Sequence, residues 1–146
     1  MKPKNRGGQA GLPIREYAQG QASDLLRRMA FQSNRVTRVK QEETVHDLRV
    51  SIRRLSQCLR VFEGFFPQDR VKELRRKLGG IMDLASEVRN RDIALGLLRG
   101  ARLPAGSAVA RSLSQERQEA ERALLVSLKR WSRRDCEKKW RARLGL

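Results

Sequence analysis

Apolar residues recur along this chain every three to four positions, and sustained apolar-polar alternation is nearly absent. That periodicity predicts helices throughout, with no Asn-Gly or Asp-Gly hairpin turn between them. A first helix is expected from Pro13 or Ile14, because proline suits a first helical turn, to about Val39. Tyr17, Leu25, Leu26, Met29, Ser33 and Val36 trace its apolar stripe. Thr44-Val45-His46-Asp47 reads as a capping-box-like start of a second helix. The Thr44 hydroxyl would accept from the Asp47 amide, and the Asp47 carboxylate would reach back. That helix runs to about Phe66 and stops before Pro67, burying Val45, Leu48, Ile52, Leu55, Leu59, Phe62 and Phe66.

Asp69 is placed as the cap of a third helix over about 70–99, with Leu74, Leu78, Ile81, Ala85, Val88 and Leu95 as its core line. Gly79-Gly80 inside it signals a kink or a close helix approach. Gly100 and Pro104 end it. Ser107 caps a fourth helix, with Val109, Leu113, Ala120, Leu124 and Leu128 facing inward. The pattern leaves open whether this helix runs unbroken through Trp131, Arg133-Arg134 and Trp140. The expected fold is all-α, an antiparallel four-helix bundle over residues 13–146 behind a flexible basic tail at 1–12.

Charge sharpens this picture. The chain has 146 residues, 33 of them Lys or Arg and 16 Asp or Glu, for a formal net charge of +17. An apolar share of 39% excludes a wholly disordered polycation. Such an excess of cations repels itself unless a polyanion answers it, and nucleic acid, another phosphate polymer or an anionic membrane surface would each do so. No apolar run approaches the roughly 20 residues of a membrane span. The basic N-terminus is not followed by an apolar stretch, so no secretory signal is expected. Cys58 and Cys136 belong to no CxxC, which excludes a zinc finger and a disulfide framework and makes the cytoplasm the expected compartment.

The second helix carries the candidate chemistry. At about 100° per residue, His46, Arg49, Arg53 and Arg60 fall within roughly a 60° arc beside the apolar stripe. They therefore lie along the edge of the core, where a groove between helices can collect them. Arg54 projects to a different side. Like charges one turn apart oppose helix formation by about 0.2–0.5 kcal/mol per pair. Arginine forks match phosphate oxygens in pairs, so a row at helical pitch can track an extended phosphate chain. The plainer alternative is arginines that cover apolar surface and pair with carboxylates. A metal role for His46 is weak, since the chain has no second histidine, and no cofactor is expected.

On the third helix, Asp92 shares the core line of Leu78, Ile81, Ala85 and Val88. A carboxylate there needs a cationic partner, and His46, Arg49 or Arg53 is expected to supply it. Asp92 would then orient a basic side chain. Arg89 falls near the edge of that line, and Arg75 lies on nearly the same side further up the helix, flanked by Lys72 and Arg76.

The run Val45-His46-Asp47-Leu48-Arg49-Val50-Ser51-Ile52-Arg53-Arg54-Leu55 closely resembles the signature of the CHAD family, the conserved histidine α-helical domain. Leu78-Gly79-Gly80-Ile81-Met82-Asp83-Leu84, followed by Val88-Arg89-Asn90-Arg91-Asp92-Ile93, is similar to the family's second block. The resemblance spans about residues 12–143. It implies a helical domain that binds inorganic polyphosphate through a basic surface, with His46, Arg49, Arg53 and Arg54 matching the first block and Arg89 and Asp92 the second. Ser56 stands where many members carry another arginine, so one phosphate contact is expected to be missing. Members usually hold two four-helix halves, and this length fits one. The resemblance thus implies either a homodimer that restores the two-bundle arrangement or binding with half the surface.

The expected function is a non-catalytic binding module for polyphosphate, cytoplasmic or at polyphosphate granules, with a basic groove of His46, Arg49, Arg53, Arg54, Arg60, Arg75 and Arg89. The alternative is a non-specific nucleic-acid-binding protein. Aromatics are only 5%, so stacking platforms for bases are scarce. An enzyme of phosphate polymers would need a carboxylate cluster for a divalent metal, and the acids here are scattered among bases at ion-pair spacing. The basic C-terminal segment around Arg111, Arg117, Lys129, Arg130, Arg133, Arg134, Lys138, Lys139 and Arg141 maps to no motif.

Overall fold

Five α-helices follow one another in the computed structural model, which describes residues 13–146; the tail expected at 1–12 lies outside them. They are α1 (Ile14–Arg38), α2 (Glu42–Val61), α3 (Gln68–Gly100), α4 (Ala108–Arg133) and α5 (Cys136–Leu144), with a 3-10 turn at Glu63–Phe65. There is no strand among the described residues. Pairs across the helices fix their direction. Arg35 reaches Asp47 and Tyr17 meets Phe62 between α1 and α2. Arg49 reaches Ser86 and Arg75 reaches Ser56 between α2 and α3. Arg91 meets Glu116 and Arg117 meets Asp92 between α3 and α4. In each pair a residue nearer the start of one helix meets one nearer the end of its neighbour, so consecutive helices are antiparallel. α4 packs back on α1 and closes a four-helix bundle, as expected.

The core holds Leu26 and Met29 of α1, Leu48, Leu55 and Leu59 of α2, Leu74, Leu78 and Val88 of α3, and Leu124 and Leu128 of α4, all essentially inaccessible. On α1 the buried line begins with Ala18 and Ala22, not with Tyr17. Tyr17 is 54% exposed and lays its edge on Phe62, with ring centroids 6.0 Å apart. Val109, expected inside, is also exposed, and its neighbour Ala110 is buried instead.

Several helix ends differ from the sequence expectation. α2 starts at Glu42, and Thr44 is not its cap. The Thr44 hydroxyl donates to the Gln41 carbonyl at 2.7 Å, and Asp47 turns to Arg35. α2 ends at Val61, and the 3-10 turn carries the chain to Pro67, so Phe66 reaches the core from outside the helix. α3 begins at Gln68 after Pro67, which leaves Asp69 inside the first turn. Ser107 does cap α4, its Oγ accepting the Ala110 amide at 3.3 Å. α3 passes unbroken through Gly79 and Gly80. A Cβ at either would meet nothing within 4 Å, so no close helix approach requires them.

Gly100 is the last residue of α3, but Arg102 terminates it. Arg102 has φ 58°, its amide donates to the Arg99 carbonyl at 3.0 Å, and the Leu103 amide donates to the Leu98 carbonyl at 3.1 Å. This is a Schellman cap with arginine in the left-handed position that glycine usually takes. The last helical stretch is also broken. Asp135, at φ 47°, turns the chain between α4 and α5. α5 then lies under α1, α3 and α4 and buries Trp140 completely. The Trp140 ring has Lys77 Nζ 5.4 Å and the Arg143 guanidinium 5.1 Å from its centroid.

Candidate functional site

α2 runs between α1 and α3, and its outward side carries the candidate cations. The structure divides them between two grooves. On the α3 side, Arg53 and Arg75 line a cavity of about 200 Å³ whose floor includes Ile52, Leu78 and Gly79. Arg75 donates its Nε to Ser56 Oγ at 3.5 Å. Further along the same seam, Arg49 donates its Nε to Ser86 Oγ at 3.3 Å. On the α1 side, His46 and Arg54 line a cavity of about 380 Å³ with Arg28, Gln32 and Asp47. The single row expected for His46, Arg49 and Arg53 is thus split: exposed His46 joins Arg54, and Arg53 joins Arg75. The reason is geometric. His46 sits nearest the crest of α2, where a side chain can lean either way.

The ion pairs of the bundle fall on other arginines than these. Arg27, Arg35, Arg70, Arg91, Arg99, Arg117, Arg141 and Arg143 each have a carboxylate within 4.0 Å. Among the described residues, Arg49, Arg53, Arg54, Arg60, Arg75 and Arg89 have none, and residues 1–12 contain no acid. The alternative in which these arginines are neutralised by helix carboxylates does not hold. Arg49 and Arg75 are each steadied at Nε by a serine hydroxyl, and their terminal nitrogens point to no protein acceptor among the described residues. A guanidinium held this way presents two donors in a fixed fork, which suits a phosphate with two free oxygens. The one acid in the α1-side groove, Asp47, is answered by Arg35 at 3.1 Å, so it does not repel an anion at full charge.

Arg60 is exposed in the last turn of α2, and half-buried Arg89 lies one turn beyond Ser86 on α3. By their register on α2 and α3, both fall on the side of their helix that faces the α2–α3 seam. The cluster around Arg75 is divided. Arg70 and Lys77 pair with Glu73, whereas Lys72 and Arg76 are exposed without a carboxylate partner among the described residues.

Asp92 requires a correction. It is buried at 4% exposure, as its place on the core line implied, but its partner is not on α2. Arg117 of α4 donates its Nε to Asp92 Oδ1 at 2.5 Å and its Nη1 to Glu121 at 2.8 Å. Burial works against the Arg117 charge, but Asp92 and then Glu121 outweigh it and push its pKa up. Asp92 therefore ties α3 to α4 and orients no cation of the α2 grooves. The end of α3 that carries Asp92 packs beside the start of α4, where Arg91 also meets Glu116, so the cation within reach comes from α4.

Arg28 and Ser86 were not singled out from sequence, and Ser56 was read there with a different role. Arg28 enters the α1-side groove one turn before Gln32, and only the register of α1 against α2 shows it. Ser56 and Ser86 position Arg75 and Arg49. Ser56, read as the loss of an arginine, holds one from the neighbouring helix. Among the described residues no three His, Cys, Asp or Glu side chains come together in a way that could hold a metal ion. No described helix is long and apolar enough to cross a membrane.

A family model described as the CHAD domain matches residues 20–145. No curated protein and no solved structure matches the chain.

Proposed function

We propose, on the premise that this chain belongs to the CHAD domain family, that it is a binding module for inorganic polyphosphate and grips the polymer along α2. The family is linked to polyphosphate. The observation that supports the finer reading is the state of Arg49 and Arg75. Each is anchored at Nε by a serine across the α2–α3 seam, and neither has a carboxylate partner among the described residues. Arg53 lies between them, with Arg60 and Arg89 on the sides of their helices that face the seam. A linear chain of phosphates can bridge these forks in succession, and its second edge can meet His46, Arg54 and Arg28 over the crest of α2. Binding needs no covalent step, and the chain's role in this reading is recognition without catalysis. Affinity comes from charge-assisted hydrogen bonds and from counterions released along the polymer.

The direct test replaces His46, Arg49 and Arg53 together with glutamine. The variant is expected to stay helical and to lose polyphosphate affinity by about tenfold or more, since each bond to a charged group contributes roughly 1.5–3 kcal/mol. Unchanged affinity in a folded variant would move the site away from α2.

A further inference from the structure

α3 carries two glycines in mid-helix that no packing requires. Glycine there disfavours the helix relative to alanine, and a Cβ at either position would enter open space. Gly79 opens onto the α2–α3 groove beside Arg53 and Arg75. Gly80 opens onto a separate cavity of about 310 Å³, between α3, the end of α4 and the start of α5. This second cavity has an apolar floor of Ile81, Leu84 and Trp131 and a rim of Lys77, Arg130 and Arg134. No acid lines it. Among the described residues Arg130 and Arg134 have no carboxylate within 4.0 Å, and Lys77 has Glu73 at 3.7 Å. The basic residues of a last helical turn are ordinarily explained by the helix dipole. That does not explain why Arg130 and the cap residue Arg134, one turn apart and mutually repelling, converge with a lysine from another helix over an apolar floor. Cys136 completes the wall; burial pushes its thiol up, partly offset by Lys139, Lys77 and Arg134, so it is a small apolar surface there and not a nucleophile.

We propose that this α3–α4–α5 cavity is a second binding site, distinct from the α2 grooves, for an organic phosphate: a flat apolar body of about mononucleotide size bearing one or two phosphates. Lys77, Arg130 and Arg134 receive the phosphates, and Ile81, Leu84 and Trp131 receive the body. Inorganic polyphosphate satisfies the rim but leaves the floor wet, whereas a neutral ring satisfies the floor alone. The ligand that fills both is an organic anion, and the volume is at the small end of the range for small-molecule pockets, roughly 300–1,000 Å³.

The test is a titration of the full chain with ADP, adenosine and inorganic phosphate separately, read by calorimetry and by fluorescence in a Trp140→Phe background, where Trp131 is the one reporter. ADP is expected to bind at least tenfold tighter than either fragment and to change Trp131 emission. Arg130→Gln with Arg134→Gln should weaken ADP by about tenfold, and Gly80→Phe, which fills the mouth without touching the core, should abolish it. The variant with His46, Arg49 and Arg53 replaced by glutamine should bind ADP as the parent does, which separates this site from the polyphosphate reading. If ADP binds no better than phosphate, or if Gly80→Phe leaves it unchanged, the second site does not exist. Loss of ADP binding in the α2 variant alone would place the nucleotide in the polymer groove and also overturn it.

Discussion

Asp92 of α3 accepts the Nε of Arg117 from α4 at 2.5 Å, and among the described residues no cation of α2 shares it. This pair couples the two longest helices at the core, while Asp92 Oδ2 stays buried without a hydrogen-bond partner. Removing the arginine strands a carboxylate in the interior. Arg117→Gln is therefore expected to destabilise the fold by about 3–5 kcal/mol, and Asp92→Asn by about 1–3 kcal/mol, because Glu121 still answers Arg117. Glu119→Gln, on an exposed side chain, should change stability by less than about 0.5 kcal/mol. Urea unfolding of the three variants measures the order. Asp92→Asn should leave polyphosphate affinity unchanged under conditions where it is folded, and a loss there would restore an orienting role toward α2.

Arg102 occupies the left-handed position of the α3 cap at φ 58°. A non-glycine residue there sits in a region that disfavours side chains by about 1–2 kcal/mol. Arg102→Gly should raise stability by about 1 kcal/mol, and thermal unfolding should show it as a higher Tm. A lower Tm would mean that the arginine side chain contributes more than its backbone costs.

Gly79 and Gly80 give opposite signals for stability and for binding. Gly79→Ala should stabilise α3 by about 0.5–1 kcal/mol, since nothing lies within 4 Å of the added methyl. Gly79→Phe should instead occupy the groove beside Arg53 and Arg75 and weaken polyphosphate binding several-fold. Equal affinity for the phenylalanine variant and the parent would exclude that part of the groove from the polymer's path.

Glu73 joins α3 to α5 through Arg143 at 3.1 Å. Burial alone would raise its pKa, but Arg143, then Lys77 and Arg70, more than offset it and hold the carboxyl below its ordinary value of 4.5. A depressed folded pKa contributes stability that is fully present above pH 4.5 and is lost as pH falls through the lower folded value. Tm should therefore drop on acidification below pH 4.5, and Glu73→Gln should flatten that drop. A parallel drop in both proteins would assign the acid sensitivity to other carboxylates.

The helical periodicity of the chain carried most of the bundle. Leu48, Leu55 and Leu59 repeat at spacings that only a helix can bury together, and they are fully inside. Pro13 and Pro67 stand just before helices, where their rigid backbone permits few alternatives. Two helix ends that the pattern does not mark are set by backbone dihedrals with no glycine there. Arg102 and Asp135 both adopt positive φ, and nothing in the pattern distinguishes them from their neighbours. The arc of arginines on α2 was visible because it follows from one helix alone. The partner of Asp92 and the hydroxyls that hold Arg49 and Arg75 depend on the register between helices, which a single helical wheel does not contain.

Polyphosphate recognition by this chain requires α2 forks shaped for a phosphate chain and not merely basic. The most direct measurement is the affinity for medium-length polyphosphate across a salt series, with RNA of equal charge as competitor. A shaped site with about five engaged arginines predicts a log-log salt slope of about −3 to −5. It also predicts binding that survives physiological salt and is displaced only by a large excess of RNA. One-for-one competition by RNA, with affinity collapsing at physiological salt, would contradict it and leave a polycation that reads charge density alone.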